Sequence, residues 1–358
     1  MPKVLSVGEA IPPYTVYQSK AKQFVKQMFG QAYSDINRLL QVFENSEIQT
    51  RSFMKELEWY TREHSFAEKN DVYIDCSVQL GKEAIRNCLQ GSFLREPISY
   101  EDIDMIITIS STGLATPTIE ARIMNDLPFR TDTKRLPIWG LGCAGGAAGL
   151  ARAFEYCRQN QFGKVLVLTI EMCSLTFQRN DFSKSNLIGT ALFADGVACA
   201  LVCGDEVVKH RSRTFPSIIG CQSALKKHAL NVMGWDIRNE GLFVIFSRDI
   251  PSIIEEWLKP HVEQFLHKYH LSIKDIEYFI AHPGGKKVLD AYERTFQIDA
   301  KRLDEARKVL TKRGNMSSVT ILTVLQKHLE QPIEAGKYGL AFALGPGFSA
   351  EMLLLRWE

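Results

Sequence analysis

The chain has 358 residues, enough for about two domains or for one large α/β unit. Its 43 Lys and Arg residues nearly balance 41 Asp and Glu residues and form no long block of like charge, so nothing indicates a nucleic-acid-binding surface. No apolar run approaches the roughly 18 residues that span a bilayer, so we expect a cytoplasmic protein without a transmembrane segment.

Short apolar strands alternate with helical patterns along the chain. The first residues predict a strand that ends at Pro12 and Pro13 rather than a signal peptide. Further strands are predicted at residues 105–110, 164–170, 197–202, 243–246, 278–281 and 338–344. Helices are predicted at residues 18–28, 72–89, 144–159, 251–270, 303–312 and 318–329. Such alternation is typical of an α/β fold whose strands are buried on both faces.

The cysteines and histidines do not follow the spacing of a metal site. The eight cysteines include no CxxC pair and no Cys/His cluster at zinc spacing. Cys199 and Cys203 share one face of a predicted strand, which favours two small buried side chains over a redox or metal pair. His261, His267 and His270 fall on the polar face of a predicted helix. We therefore expect no bound metal.

Two segments of the chain resemble each other. Residues 102–110 (DIDMIITIS) and 275–282 (DIEYFIAH) both combine an acid-Ile-acid start with an apolar strand. Each is followed by a loop and a predicted helix, GCAGGAAGLARAFEYC or GNMSSVTILTVLQKHL, in which Cys143 and Asn315 come directly after a glycine. An internal duplication of this kind folds into two similar halves, so the two helix starts are expected to meet near the centre.

Cys143, His282 and Asn315 together suit nucleophilic catalysis. A helix start favours a thiolate at Cys143, although the small residues around it are equally consistent with close helix packing. His282 ends a predicted strand before Pro-Gly-Gly, where a structural histidine satisfied by a carbonyl is the alternative. Asn315 is also consistent with a helix N-cap. As a set, they supply a nucleophile, a proton partner and an amide donor.

Four motifs occur in order along the chain: GLGCAGGAAGLARA, FIAHPGGKKVLD, RGNMSSVTI and ALGPGFSAEMLLL. In these motifs the chain resembles the type III polyketide synthases, the chalcone-synthase-like group of the thiolase superfamily. The resemblance implies an α/β fold of the five-layer αβαβα thiolase type, made of two duplicated halves. The half at residues 1–205 would carry the cysteine, and the half at 206–358 the histidine and asparagine. It also implies a homodimer.

The same resemblance implies an acyltransferase that uses acyl-CoA and malonyl-CoA as substrates and needs no cofactor or metal. Cys143 would take the starter acyl group and would be held as a thiolate by an ion pair with His282. His282 and Asn315 would then donate hydrogen bonds to the thioester oxygen of malonyl-CoA, which stabilises the enolate left when CO₂ departs. That enolate would attack the acyl thioester on Cys143 and lengthen the chain.

Pocket residues also follow from the resemblance. Phe193 matches a phenylalanine that gates the path between the CoA tunnel and the cavity, with ordinary core packing as its alternative. The other matching positions are Gly189, Thr176 and Ser317. Where plant members carry a second gating phenylalanine and a methionine from the partner subunit, this chain has Val244 and Thr116. Both differences remove bulk, as in bacterial members that accept long-chain fatty acyl-CoA starters and release alkylpyrones or alkylresorcinols.

The CoA-binding cations of plant members are poorly matched near Arg38, so Lys286 or Lys287, with Gly284 and Gly285, is a further candidate for this role. The sister family of β-ketoacyl-ACP synthases III also uses Cys, His and Asn and is the main alternative. A papain-like protease has the same residue order, but the CGSCW-type surroundings of its cysteine are missing here. A non-catalytic thiolase-fold protein is a further alternative, against which the three intact residue types argue.

Overall fold

The computed structural model describes residues 1–30, 32–33, 35–92, 94–208, 213–247 and 249–358. The strands are β1 (Lys3–Ala10), β2 (Tyr14–Tyr17), β3 (Thr50–Phe53), β4 (Met105–Ser110), β5 (Lys134–Trp139), β6 (Lys164–Met172), β7 (Asp195–Cys203), β8 (Pro216–Leu225), β9 (Met233–Arg238), β10 (Gly241–Phe246), β11 (Ile276–Ala281), β12 (Tyr338–Gly345) and β13 (Ser349–Trp357). The helices are α1 (Gln18–Phe29), α2 (Ile36–Leu39), α3 (Gln41–Glu44), α4 (Phe66–Leu89), α5 (Ile119–Asp126), α6 (Gly145–Gln159), α7 (Lys184–Leu192), α8 (Ile250–Ile253), α9 (Lys259–His267), α10 (Lys286–Phe296), α11 (Asp304–Arg313) and α12 (Val319–Leu329). Within these ranges, no helix has the length and apolar character needed to span a membrane.

A mixed sheet forms the framework of the molecule. Its strand order is β11-β12-β13-β8-β1-β7-β6-β4-β5, so strands from the first and second halves of the chain occupy opposite ends. The two groups meet where Lys3 of β1 pairs with Ser217 of β8. The duplicated segments become β4 and β11, and each pairs in parallel with a neighbour in its own half. The predicted α/β class is therefore confirmed.

Two buried helices, α6 and α12, pack against each other and against strands of both halves. Glycines in α6 make this contact possible. A Cβ atom added at Gly146 would lie 2.3 Å from the carbonyl oxygen of Ser318 and 2.6 Å from Ile321 Cγ2. At Gly149 it would lie 2.6 Å from Ile109 Cδ1. The small residues after Cys143 are thus required by helix packing, whatever the role of the thiol.

Gly146→Ala is expected to lower the free energy of unfolding by about 2 kcal/mol, because the added methyl group overlaps a backbone oxygen that cannot rotate away. Denaturant unfolding measures this change. Gly284→Ala is the control, since its added methyl group would meet its nearest neighbour at an ordinary 3.5 Å. Equal losses in the two variants would contradict the packing argument.

The helix predicted at residues 251–270 is interrupted and ends early. A π-helical segment, Ile254–Leu258, separates α8 from α9, and α9 ends at His267. The cause of the interruption is Pro260, which has no N–H to donate and whose ring crowds the carbonyl of the preceding turn. A wider π turn accommodates the proline without breaking the chain direction.

The predicted burial of Cys199 and Cys203 is confirmed, but His270 lies beyond the end of the helix on which it was expected. Cys199 and Cys203 are fully buried in β7. His267 and His270 are exposed, and His261 is half-buried. In the part of the chain that the structure describes, no group of three or more His, Cys, Asp and Glu side chains is placed to hold a metal ion.

Candidate active site

Cys143 lies in a 3₁₀ turn, Gly142–Ala144, that leads directly into α6. Gly142 adopts a positive φ of 48°, and an added Cβ would lie 2.7 Å from the ring of Pro346. Only glycine tolerates both conditions well. The turn therefore places the thiol just before the first turn of α6, with 6% of the residue exposed.

Asn315 lies four residues before α12, so it does not open the helix as the internal repeat predicts. A short parallel β-bridge to Phe193 holds it instead. The Asn315 N–H donates to the Leu192 carbonyl at 2.9 Å, and the Ala194 N–H donates to the Asn315 carbonyl at 2.9 Å. The position of the amide is thus set by contacts with the end of α7, a segment of the other half of the chain.

The Asn315 side chain is fixed at both ends and reaches the thiol. Its Oδ1 accepts from the Ser317 N–H at 2.9 Å, and its Nδ2 donates to the Gly284 carbonyl at 3.1 Å. Cys143 Sγ lies 4.0 Å from Asn315 Oδ1 and 3.7 Å from Ser317 Oγ. The N-cap residue of α12 is Ser318, so the N-cap interpretation of Asn315 is wrong.

His282 directly follows β11 and is 2% exposed. Its carbonyl accepts from the Gly284 N–H at 3.1 Å, and Gly284 in turn holds the Asn315 amide, so one loop joins the two residues. Neither ring nitrogen of His282 has a hydrogen-bond partner within the described ranges. The interpretation as a structural histidine satisfied by a carbonyl is therefore wrong. A buried, unpartnered imidazole is uncommon and remains available to a ligand.

Burial opposes the charged forms of both the Cys143 thiol and the His282 imidazole. It raises the pKa of Cys143 to about 12, while the contacts with Ser317 and Asn315 act in the opposite direction. Burial also lowers the pKa of His282 to about 3. Each group taken alone is neutral near pH 7. An ion pair between them therefore requires their mutual attraction to exceed the cost of burying two charges.

Two adjoining cavities lie beside the thiol. Cys143 and Ser317 line a narrow cleft. A neighbouring cavity is walled largely by apolar side chains from α1, β3 and the segment around α7. Cys173, Phe193 and Val244 border both spaces. They therefore separate the thiol from the apolar cavity.

Four predicted pocket residues, Thr176, Gly189, Phe193 and Val244, lie in the wall of the apolar cavity. A Cβ at Gly189 would contact the Phe193 ring at 3.3 Å and Val244 Cγ1 at 3.4 Å, so these three residues form one surface. The Thr176 hydroxyl donates to a backbone carbonyl at 2.8 Å. The space between the two cavities is consequently set by the sizes of side chains at these positions.

The predicted CoA-binding residues lie outside these two walls. Arg38 on α2 is exposed and pairs with the aspartate three residues before it at 2.9 Å. Lys286 opens α10 after Gly285 and pairs with Asp290 at 2.7 Å and with Glu47 at 3.4 Å. Both cations are therefore already balanced by carboxylates in this structure.

Thr116 is exposed in the loop between β4 and α5, outside both cavities. Two further wall residues of the cleft, Ser111 and Cys173, are not among the residues that the sequence predicts. Each directly follows a buried strand, β4 or β6, and these strands are parallel neighbours. Their shared position at the carboxyl edge of the sheet is a signal that the strand predictions already contained.

Comparisons with known proteins agree with this architecture. Family models for chalcone and stilbene synthases match residues 1–206 with the N-terminal domain and 219–357 with the C-terminal domain. A Bacillus subtilis protein with a provisional chalcone synthase name is 51% identical over 99% of this chain and 98% of its own length. The 1,3,6,8-tetrahydroxynaphthalene synthase of Streptomyces peucetius is 32% identical over 99% of this chain and 93% of its own.

The solved structures point the same way. The crystal structure of 1,3,6,8-tetrahydroxynaphthalene synthase from Streptomyces coelicolor, described as a bacterial type III polyketide synthase, superposes with a TM-score of 0.91 and 25% identity over 99% of both chains. The predicted thiolase-like fold is confirmed, and the protease interpretation is wrong. The chain belongs to the chalcone and stilbene synthase family, the type III polyketide synthases.

Proposed function

We propose that this enzyme condenses malonyl-CoA onto a starter acyl group held as a thioester on Cys143. The observation that carries the proposal is the meeting of the Cys143 thiol with Asn315 and Ser317 in a buried cleft beside an apolar cavity. The nucleophile comes from the first half of the chain and the amide from the second. Acyl-CoA and malonyl-CoA serve as substrates, and the reaction uses no cofactor.

The loading step transfers the starter to Cys143. The thiolate attacks the acyl-CoA carbonyl, the thioester bond to CoA breaks, and His282 passes the proton taken from Cys143 to the departing CoA thiolate. The unpartnered ring nitrogens of His282 suit this role because no hydrogen bond within the described chain competes for them. The starter chain then extends past Phe193 into the apolar cavity.

Extension begins with malonyl-CoA. The carbon–carbon bond to its carboxylate breaks, CO₂ leaves, and the electron pair remains as an enolate. Asn315 has a second N–H besides the one bound to Gly284, so it donates to the enolate oxygen together with His282. The enolate carbon attacks the acyl thioester and expels the Cys143 thiolate. The extended chain is now a CoA thioester, and Cys143 takes it back by the loading step, with release of CoA, before the next malonyl-CoA is used; such cycles lengthen the chain before it cyclises.

We further propose long-chain fatty acyl-CoA starters and alkylpyrone or alkylresorcinol products. The small side chains at Gly189 and Val244 support this choice, because bulkier residues there would crowd the Phe193 ring at the boundary between the cleft and the apolar cavity. Incubation with malonyl-CoA and a mixture of acyl-CoA lengths, followed by mass spectrometry of the products, tests it. Long aliphatic starters should dominate the products. Exclusive use of acyl carrier protein thioesters would instead support a ketoacyl synthase III activity.

Val244→Phe is expected to shift the preference toward short starters, with at least a tenfold loss in kcat/KM for long acyl chains. The larger ring would fill the space next to Gly189 and Phe193, where the two cavities meet. Competition between short and long acyl-CoA in one reaction measures the shift. Ile237→Phe, on the exposed face of the adjoining strand β9, is the control. An unchanged ratio in Val244→Phe would contradict the proposed path.

The proposed ion pair gives a pH-dependent prediction for Cys143. With His282 present, we expect the alkylation rate of the thiol to vary little across neutral pH, because the thiolate is held by the imidazolium. In His282→Ala the imidazolium is gone and burial, the largest influence, raises the pKa of Cys143, so alkylation should be slow near pH 7 and rise steadily with pH. Iodoacetamide labelling followed by peptide mapping measures both profiles. Identical profiles would contradict the ion pair.

We also propose a homodimer formed beside β5. This edge strand leaves Trp139 46% exposed, and the nearby loop exposes Leu114 and Thr116. Two large apolar side chains, Trp139 and Leu114, exposed together at the edge of the sheet are typical of an interface. Sedimentation equilibrium should give twice the mass of the chain.

We propose that CoA approaches the site near Lys286. The loop with Gly284 and Gly285, which lies between Lys286 and the Asn315 amide, supports this proposal.

A further inference from the structure

Arg51, on β3, is buried with 1% of its surface exposed. Arginine is rarely buried this completely unless all its nitrogens are paired. Here Nε and Nη2 have no hydrogen-bond partner within the described residues. Burial lowers its pKa to about 9, although the Asp195 carboxylate acts in the opposite direction. A side chain held at such a cost in desolvation calls for a role beyond filling space.

The guanidinium joins the end of α7 to the residue that follows it. Nη1 donates to the Thr190 carbonyl at 2.6 Å and to the Phe193 carbonyl at 2.7 Å. The first carbonyl lies in the last turn of the helix, where carbonyls have no intrahelical partner. The second belongs to the residue whose ring borders both cavities. Arg51 therefore fixes the backbone that carries this ring.

The stem of Arg51 also lies against the segment that carries the amide. A Cβ at Gly314 would lie 2.7 Å from Arg51 Cγ and 2.9 Å from its Cδ, so the backbone before Asn315 rests directly on the arginine. The β-bridge between Phe193 and Asn315 links the guanidinium contact at the Phe193 carbonyl with the stem contact at Gly314. One side chain thus contacts both strands of this bridge.

We propose that Arg51 is a positioning residue, which holds the Phe193 ring between the two cavities and the Asn315 amide next to Cys143. It acts through the backbone of residues 190–194 and 314–315 and takes no part in bond making. The proposal rests on the proposed function, since it concerns the donor that Asn315 gives to malonyl-CoA. Loss of the guanidinium should therefore affect decarboxylation more than acyl loading.

Arg51→Met tests the proposal because methionine keeps an apolar stem against Gly314 but removes the donors. We expect malonyl-CoA decarboxylation to fall at least tenfold, while acyl loading of Cys143 changes less than threefold. Arg51→Lys keeps the stem and the charge and should recover most of the loss, with a decarboxylation-to-loading ratio about threefold below that of the unchanged protein. Selection among starter lengths should broaden in the methionine variant, because the Phe193 ring is less firmly held.

Arg302→Met is the matched control. Arg302 also donates Nη1 to a backbone carbonyl at 2.7 Å, that of Ile276, but at the start of β11 and away from the two cavities. Its ratio of decarboxylation to loading should remain unchanged. If Arg51→Met does not fold, the ratio in Arg51→Lys decides the matter.

An unchanged ratio in Arg51→Met, or in Arg51→Lys where the methionine variant does not fold, would overturn the proposal. A parallel fall of both activities leaves this ratio unchanged, indicates general loss of structure and would overturn it equally. Failure of the proposed function is distinguishable, because the unchanged protein would then neither load acyl groups on Cys143 nor decarboxylate malonyl-CoA.

Discussion

Cys143→Ala should abolish acyl-enzyme formation and lower the rate of product formation by at least about a thousandfold, because the nucleophile of the loading step is removed. Malonyl-CoA decarboxylation should remain measurable in the same variant, since the proposed donors of His282 and Asn315 are left in place. The cleft around the alanine would keep its shape, as Cys143 contacts Asn315 and Ser317 only at 4.0 and 3.7 Å.

Intact-protein mass spectrometry after mixing with an acyl-CoA measures the loading directly. Cys221→Ala is the control, because this half-buried cysteine lies on β8, away from the cleft walls. It should load one acyl group as the unchanged protein does. Equal loading by Cys143→Ala would contradict the nucleophile assignment, and complete loss of decarboxylation would contradict the separate roles of thiol and donors.

Asn315→Ala should slow malonyl-CoA decarboxylation about a hundredfold or more, since loss of one oxyanion donor typically costs about 3 kcal/mol in the transition state. Acyl loading should change far less, because it depends on the thiolate of Cys143. Stopped-time assays of CO₂ release and of acyl-enzyme formation separate the two steps.

Asn315→Asp is the matched control for this prediction. Aspartate keeps the oxygen that accepts from the Ser317 N–H but lacks the N–H that reaches Gly284 and the proposed enolate. Its decarboxylation rate should therefore be as low as that of the alanine variant, although the contact with the Ser317 N–H is kept. If either variant lost loading more severely than decarboxylation, the donor role would be contradicted.

The sequence predicts the duplicated elements well, because each depends on a local apolar pattern. The apolar pattern at residues 105–110 predicts a strand, and β4 has the same bounds. The predicted helix at 72–89 begins earlier, at Phe66, because Ser65 and Glu68 form a capping box, which lies ahead of the apolar pattern. Strand β5 carries Pro137 and is partly exposed, so it has no buried-strand pattern; its place at the sheet edge explains both features.

The site is predictable only in part, because a local pattern marks some of its residues while contacts between distant segments place the others. Cys143 and Asn315 stand out because the internal repeat aligns them, and the structure brings them within contact distance. Arg51 carries no such signal. Its contact with Thr190 joins residues 139 positions apart in the chain, so no local pattern indicates it. The conformation of the loop before α12 is likewise set by the bridge to Phe193 rather than by its own residues.

The most direct test of the account is the fate of a single acyl group on the enzyme. The protein is mixed with a long-chain acyl-CoA, freed of excess substrate, and analysed by intact mass and peptide mapping before and after addition of malonyl-CoA. We predict one acyl group on Cys143 that disappears on addition of malonyl-CoA, with release of an extended, cyclised product. An acyl group on another residue, or one that malonyl-CoA does not discharge, would contradict the account.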